Sequence, residues 1–262
     1  MYRAFSVMNN MIKKLNSYFT TYEKIWFLGI LILAIVFAIL FPEEDINGVN
    51  GGLVMGFYLL DTFLNILCEL LISKQSRWNF IVSLGVEVCE IAICVICAYR
   101  FATMATTIFF WIPIDILSFI TWSRHKDKEE EELTVVRKLN GWTEVAIIVG
   151  IIVWTFAVGR LLLHFSPDSD IFRGNDTVAK VVCYLDACVS AVAICNGIFI
   201  LLRLREQWIA WYLNSIIEAV INILTGQWVL LPLKLGFLIN TTYGYIKWTQ
   251  YIKTHDVKEE LI

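Results

Sequence analysis

Eight long apolar stretches leave this chain few folds to choose from. They fall near residues 25–41, 51–73, 78–99, 102–123, 142–165, 177–202, 206–225 and 228–251. A bilayer core about 30 Å thick needs about 20 residues of helix to cross it. Lipid offers the backbone no hydrogen-bond partners, so stretches of this length are read as helices. Only 17% of residues are charged and they gather between the apolar runs, whereas about a quarter are charged in a soluble domain. The first run ends at Pro42-Glu43-Glu44-Asp45. It follows a longish basic segment and lacks a small-residue cleavage site, so it reads as an uncleaved helix rather than a signal sequence. The expected fold is an all-α integral membrane protein of about eight transmembrane helices.

Orientation follows from the basic residues between the runs. One side collects Arg3, Lys13, Lys14, Lys24, Lys74, Arg77, Arg124, Lys126, Lys128, Arg137, Lys138, Arg203, Arg205, Lys247, Lys253 and Lys258; the other has Arg100, Arg160, Arg173, Lys180 and Lys234. Sixteen against five of the 21 basic residues predicts that both termini are cytoplasmic. The loop at 124–138, the longest polar stretch, reads as a solvated connector. A net charge of −3 gives no basic surface for nucleic acid. All seven cysteines lie inside apolar runs, which predicts buried thiols rather than a disulfide framework, and Cys94-x-x-Cys97 reads as one turn of small residues.

The two halves of the chain resemble each other at a low level. Tyr58-Leu59-Leu60-Asp61 in the second run parallels Tyr184-Leu185-Asp186 in the sixth. Each is followed by a basic turn and a tryptophan, Trp78 or Trp208, and each set of three runs closes on a similar segment around Trp122 or Trp248. An odd helix between two three-helix units keeps them parallel, an arrangement known among transporters. The expected divisions are an N-terminal cytoplasmic segment and extra helix (1–50), a first three-helix bundle (51–123), a loop and linker helix (124–176), a second bundle (177–251) and a cytoplasmic tail (252–262).

Polar groups at membrane depth cost about 2.5–3.5 kcal/mol each on insertion scales and mark pathways. At 100° per residue, the seventh helix places Trp211, Asn214, Ser215, Glu218, Asn222 and Thr225 on one side, bordered by Trp208. The third aligns Asn79, Ser83, Glu87, Glu90 and Cys94. The eighth aligns Gly236, Asn240, Tyr243, Gly244 and Lys247, and the fourth Thr107, Trp111, Asp115, Ser118 and Trp122. Asp61 and Asn65, and Asp186 and Ser190, mark the second and sixth. Asn65, Ser190 and Asn196 are read as hydrogen-bonded glue between helices, and Trp78 as an interfacial belt residue. The other stripes can enclose a wet cavity. Indole faces attract flat cations, Asn amides offer donors and acceptors, and Glu87, Glu90 and Glu218 favour positive charge. A flat, cationic, hydroxyl-rich solute fits such a cavity. No H-E-x-x-H, G-x-S-x-G or Walker sequence occurs, and His125, His164 and His255 fall in loops or at helix ends, so a buried enzymatic centre is not expected.

At Gln207-Trp208-Ile209-Ala210-Trp211, with Tyr184-Leu185-Asp186 before it and Gly244-Tyr245-Ile246-Lys247-Trp248 after it, the sequence resembles the PnuC family of vitamin transporters over residues 51–251. Asn79-Phe80 departs from the Trp-Pro or Phe-Gly-like turn of many members. The resemblance implies a SWEET-like fold of two three-helix bundles joined by a linker helix, with an extra N-terminal helix, sometimes oligomeric, in the bacterial inner membrane. It implies facilitated diffusion of nicotinamide riboside without a cofactor, the solute being trapped by a cytoplasmic riboside kinase. It also implies that Trp208 and Trp211 sandwich or flank the pyridinium ring. Asn214, Glu218, Asn222, Asn240 and Tyr243, with Asn79, Glu87 and Glu90, are added to that site from helical phase. Thiamine, also cationic and aromatic, is the alternative substrate, and proton coupling through a buried glutamate is a further alternative.

Overall fold

The computed structural model describes residues 19–124, 139, 141–165 and 169–254. They form eight long helices: α1 Thr21–Leu40, α2 Gly51–Ser73, α3 Asn79–Cys97, α4 Phe101–Arg124, α5 Gly141–Phe165, α6 Asp176–Leu201, α7 Gln207–Thr225 and α8 Leu231–Thr254. Each apolar run becomes one helix, with ends within a few residues of those expected. α8 starts late because Trp228–Leu230 form a 3-10 turn ahead of it. Helices α1 to α7 are long and apolar enough to cross a bilayer. At 24 residues α8 is long enough too, but it carries Lys234, Lys247 and Lys253 and packs between other helices. The chain is an all-α, multi-pass membrane protein. The connector at 124–138 lies outside the described residues apart from Arg124, as do His125, His255, Arg3, Lys13, Lys14, Lys126, Lys128, Arg137, Lys138 and Lys258.

Six helices close a ring. α2 packs on α3, α3 on α4, α4 on α6, α6 on α7, α7 on α8, and α8 back on α2. The ring end where α2, α4, α6 and α8 begin is called upper here, the opposite end lower. α5 lies outside the ring against α6, and α1 lies outside against α2 and α8. Apolar side chains face outward: α5 exposes Ile148, Val149, Ile152, Val153 and Phe156. Polar ones face inward, with Asp61, Glu87, Asp115, Asn214, Glu218 and Asn222 all buried. This inversion is what lipid demands, since a polar group facing hydrocarbon has no partner.

Local chemistry sets the helix ends. Thr20 caps α1 in a reciprocal box, its Oγ1 accepting from the Glu23 amide at 3.2 Å while Glu23 Oε2 accepts from the Thr20 amide at 2.7 Å; such a cap contributes about 1 kcal/mol. The same Glu23 carboxylate, fully buried, pairs with Lys74 on α2 at 3.0 Å and Lys247 on α8 at 3.5 Å. Trp26 Nε1 donates to the Gly236 carbonyl at 3.1 Å. The extra helix is therefore fastened to the seam where the two halves of the ring meet.

Gly244 on α8 allows a second close fit, because a Cβ there would meet the buried Trp208 indole at 2.5 Å. Overpacking of this kind costs about 1–3 kcal/mol. Gly244→Val is expected to lower the melting midpoint of the purified protein in detergent. Gly56→Ala, where nothing lies within 4 Å of the added carbon, is expected to leave it near wild type.

Candidate functional site

The ring encloses a cavity of about 120 Å³, as traced by the centre of a water-sized sphere, and all six ring helices contribute to its wall. A cavity of this size lies well above the roughly 10–15 Å³ needed to hold a single water. Seven of the ten residues singled out from sequence line it: Asn79, Glu87 and Glu90 on α3, and Trp211, Asn214, Glu218 and Asn222 on α7.

The other three point elsewhere. Trp208 is fully buried at the lower end, edge-on to Trp248 with ring centroids 5.7 Å apart and seated over Gly244. Asn240 Nδ2 donates to Glu69 Oε2 at 3.0 Å. Tyr243 donates to Glu23 of α1 at 3.3 Å. Helical phase misplaced Asn240 and Tyr243 because α8 has polar partners on two sides, the ring interior and α1. Asn65, Ser190 and Asn196, expected to join helices, also line the cavity. Asn65 donates to the Asp61 carbonyl at 3.0 Å within α2, whereas Ser190 and Asn196 do join helices: Ser190 accepts from Trp154 Nε1 of α5 at 3.0 Å while donating to the Ala187 carbonyl at 2.8 Å. The Asn196 amide, suitably turned, donates to Gln207 O at 3.1 Å and accepts from Trp211 Nε1 at 3.2 Å.

Two cations assigned to loops by sequence also belong to the wall, which lowers the five basic residues on that side to three. Arg100 sits in the α3–α4 turn in a left-handed conformation, φ 55°. That turn is held by Asp186 of α6, whose carboxylate accepts from the Ala102 amide at 2.9 Å, the Thr103 amide at 3.2 Å and the Thr103 hydroxyl at 2.5 Å. The Arg100 guanidinium is thereby aimed inward, where it pairs with Glu218. Lys234 of α8 takes the other Glu218 oxygen at 2.5 Å. One buried carboxylate is thus held between two cations from different halves of the ring, and Glu218 has no charge left over for a solute.

The rest of the wall is acidic. Asp61, Glu69, Glu87, Glu90, Asp115 and Glu218 line it against Arg100 and Lys234, six acids against two cations. Glu90 accepts from Thr107 Oγ1 at 2.7 Å. Glu87 and Asp115 lie within hydrogen-bond reach of each other, and neither Glu87 oxygen nor Asp115 Oδ2 receives a hydrogen bond from a donor group. Asn214 Oδ1 and both amide atoms of Asn222 are also unpartnered. Buried polar atoms are normally bonded, so a wall with this many open donors and acceptors is built for water or a polar solute.

Two indoles meet across this space. Trp111 of α4 and Trp211 of α7 lie nearly parallel, 27° apart in plane with centroids at 6.2 Å. Trp111 ends a π-helical segment, Thr107–Trp111, inside α4; such bulges interrupt the α-helical register and often occur at functional sites. Trp111, on the polar face expected for the fourth helix, rather than Trp208, faces Trp211.

At each end of the ring a buried cluster bridges the two halves. At the upper end Tyr99 Oη donates to Gln227 Oε1 at 2.6 Å and Gln227 Nε2 donates to Tyr58 Oη at 2.7 Å, with Cys97 Sγ 3.5 Å from the same oxygen. All four residues are buried. At the lower end Phe80, Trp122, Trp208, Trp248 and Tyr251 form one packed cluster, and Trp122 Nε1 donates across the ring to the Ile200 carbonyl at 2.8 Å. Trp78 stands outside this cluster and is 56% exposed.

Comparison with known proteins agrees with this architecture. Residues 56–250 match the family model described as nicotinamide mononucleotide transporter. Two relatives named nicotinamide riboside transporter PnuC are similar along most of their length. That of Neisseria mucosa is 24% identical over 255 residues, covering 90% of this chain and 84% of its own. That of Haemophilus influenzae is 22% identical over 249 residues, covering 88% and 91%. A crystal structure of the vitamin B3 transporter PnuC superposes with a TM-score of 0.68 at 21% identity, covering 90% of this chain and 94% of that one. With the family model spanning most of its length, a matching fold and a polar cavity at the centre of its membrane helices, the chain belongs to the PnuC family of membrane transporters.

Proposed function

We propose that this chain carries nicotinamide riboside across the membrane, admitting it to the ring cavity from one face and releasing it at the other. The observation that carries this reading is the cavity itself: two near-parallel indoles beside an acidic, hydrogen-bond-rich wall, enclosed by apolar helices. The solute named for the relatives has a flat pyridinium cation, an amide and a ribose. Stacking on an indole is worth about 0.5–2 kcal/mol for a cation, most when water is excluded. A ring inserted between Trp111 and Trp211 needs roughly 7 Å between them, twice a carbon–carbon contact distance, so the two halves of the ring separate slightly to admit it. The open Asn214 and Asn222 amides suit the carboxamide and the hydroxyls. Thiamine shares the charge and the aromatic ring, whereas riboflavin lacks the charge.

Alternating access between parallel units α2–α4 and α6–α8 is supported by the upper tyrosine–glutamine cluster and the lower tryptophan cluster, which both bridge them. The excess of basic residues at the lower end supports cytoplasmic termini. Movement down the solute's own gradient, sustained by phosphorylation inside the cell, is sufficient to drive uptake.

In proteoliposomes, counterflow of labelled nicotinamide riboside is expected, with competition by unlabelled riboside; no exchange above protein-free vesicles contradicts the reading. Trp211→Ala and Trp111→Ala are each expected to weaken riboside binding at least tenfold by calorimetry while expression stays near wild type. Unchanged affinity removes the stacking site. Glu218→Gln leaves Arg100 and Lys234 buried without a full counter-charge, a loss of about 3–5 kcal/mol. It is expected to appear as a lower melting midpoint rather than as altered selectivity between cationic and neutral solutes.

A further inference from the structure

The carboxyl groups of Glu87 on α3 and Asp115 on α4 are 3% and 2% exposed by residue and face each other across the cavity wall. Their surroundings hold no counter-charge. The charged groups acting on Glu87 are Asp115 and Glu90, both acidic. Asp115 is met by Ser83 of α3 and by Glu87, and Cys68 of α2 packs beside them. From the remaining elements, Asp61 and Glu69 on α2 add negative charge, while Lys234 of α8 pairs with Glu218 of α7 and Arg100 of the turn pairs with Glu218 and Asp186. Two carboxylates held this close with no cation between them repel each other, and sharing a single proton removes that repulsion. The donor-free Glu87 oxygens, together with unpartnered Asn214 and Asn222 atoms on the same wall, mark this as a place where something binds.

We propose that Glu87 and Asp115 share one proton while the cavity is empty and release it when a cationic solute binds, so that the positive charge of the solute takes the place of the proton. This rests on the reading that the cavity receives a cationic vitamin. In the step a carboxyl O–H bond breaks, its electron pair stays on the carboxylate oxygen, and the proton passes through cavity water to the buffer. No oxidation or reduction is involved. The pair is then a specificity determinant: a solute lacking positive charge cannot displace the proton and leaves it shared between the two carboxyl groups. Affinity for the cation falls as the solution becomes more acidic, approaching tenfold per pH unit where the empty pair holds its one shared proton.

Calorimetric titration of nicotinamide riboside chloride into the purified full chain in detergent tests this, using two buffers of different ionisation enthalpy at the same neutral pH. The expected result is a buffer-dependent heat corresponding to about one proton released per solute. The uncharged dihydro form of the riboside is expected to bind without release. Glu87→Gln and, separately, Asp115→Asn are expected to abolish release while retaining weaker binding of the cation. Binding of the cation with a heat that is the same in both buffers overturns the proton exchange and leaves the transport reading standing. Absence of any binding heat or competition overturns both.

Discussion

The ion triad of Glu218 between Arg100 and Lys234 is the interaction that the interior of this protein is organised around. A single charge at the centre of a bilayer protein is unfavourable by several kcal/mol, and a buried pair is tolerable only when its geometry is good. Here the two cations come from different halves of the ring and meet on one carboxylate from α7. Placing Arg100 there requires a left-handed turn between α3 and α4, which in turn requires Asp186 of α6 to cap the start of α4. The chain of dependence runs from one buried acid, through a turn, to the seam between the two halves.

With Glu218 neutralised, the chemistry left on the wall becomes legible. The acid that sequence reasoning put at the heart of the site is paired with two cations. What stays open on the wall is Trp111 and Trp211, the amides of Asn214 and Asn222, and the acids of α2, α3 and α4. The excess of acids over cations, not one ion pair, gives the cavity its negative character. The upper and lower clusters bridge the two halves by different means: a hydrogen-bonded set of Tyr58, Tyr99, Gln227 and Cys97 above and packed aromatic rings below.

Sequence revealed the helices well, because the need for about 20 apolar residues per crossing is a constraint on composition that few other folds share. It also found the polar faces of α3 and α7, where Asn79, Glu87, Glu90, Trp211, Asn214, Glu218 and Asn222 reach the cavity, while Ser215 and Thr225 do not line it. It failed where a helix has polar neighbours on two sides, as α8 does with Asn240 serving Glu69 and Tyr243 serving Glu23. It failed again where charges near helix ends fold inward, since Arg100 and Lys234 read as loop residues. The low-level repeat hid a division of labour: Asp61 lines the cavity while Asp186 caps a helix, and Trp78 is exposed while Trp208 is sealed in the lower cluster. The inward face of α4, with Trp111, Asp115 and Thr107, was legible from helical phase, whereas its π-helical segment had no sequence signal.

The measurement that bears most directly on this account is equilibrium binding of nicotinamide riboside, thiamine and riboflavin to the purified protein in detergent, followed by the quenching of indole fluorescence. The account predicts a single saturable site for the riboside with quenching that Trp211→Phe and Trp111→Phe diminish, weaker competition by thiamine and none by neutral riboflavin. Equal binding of riboflavin and the riboside, or no saturable binding of any of the three, would contradict it.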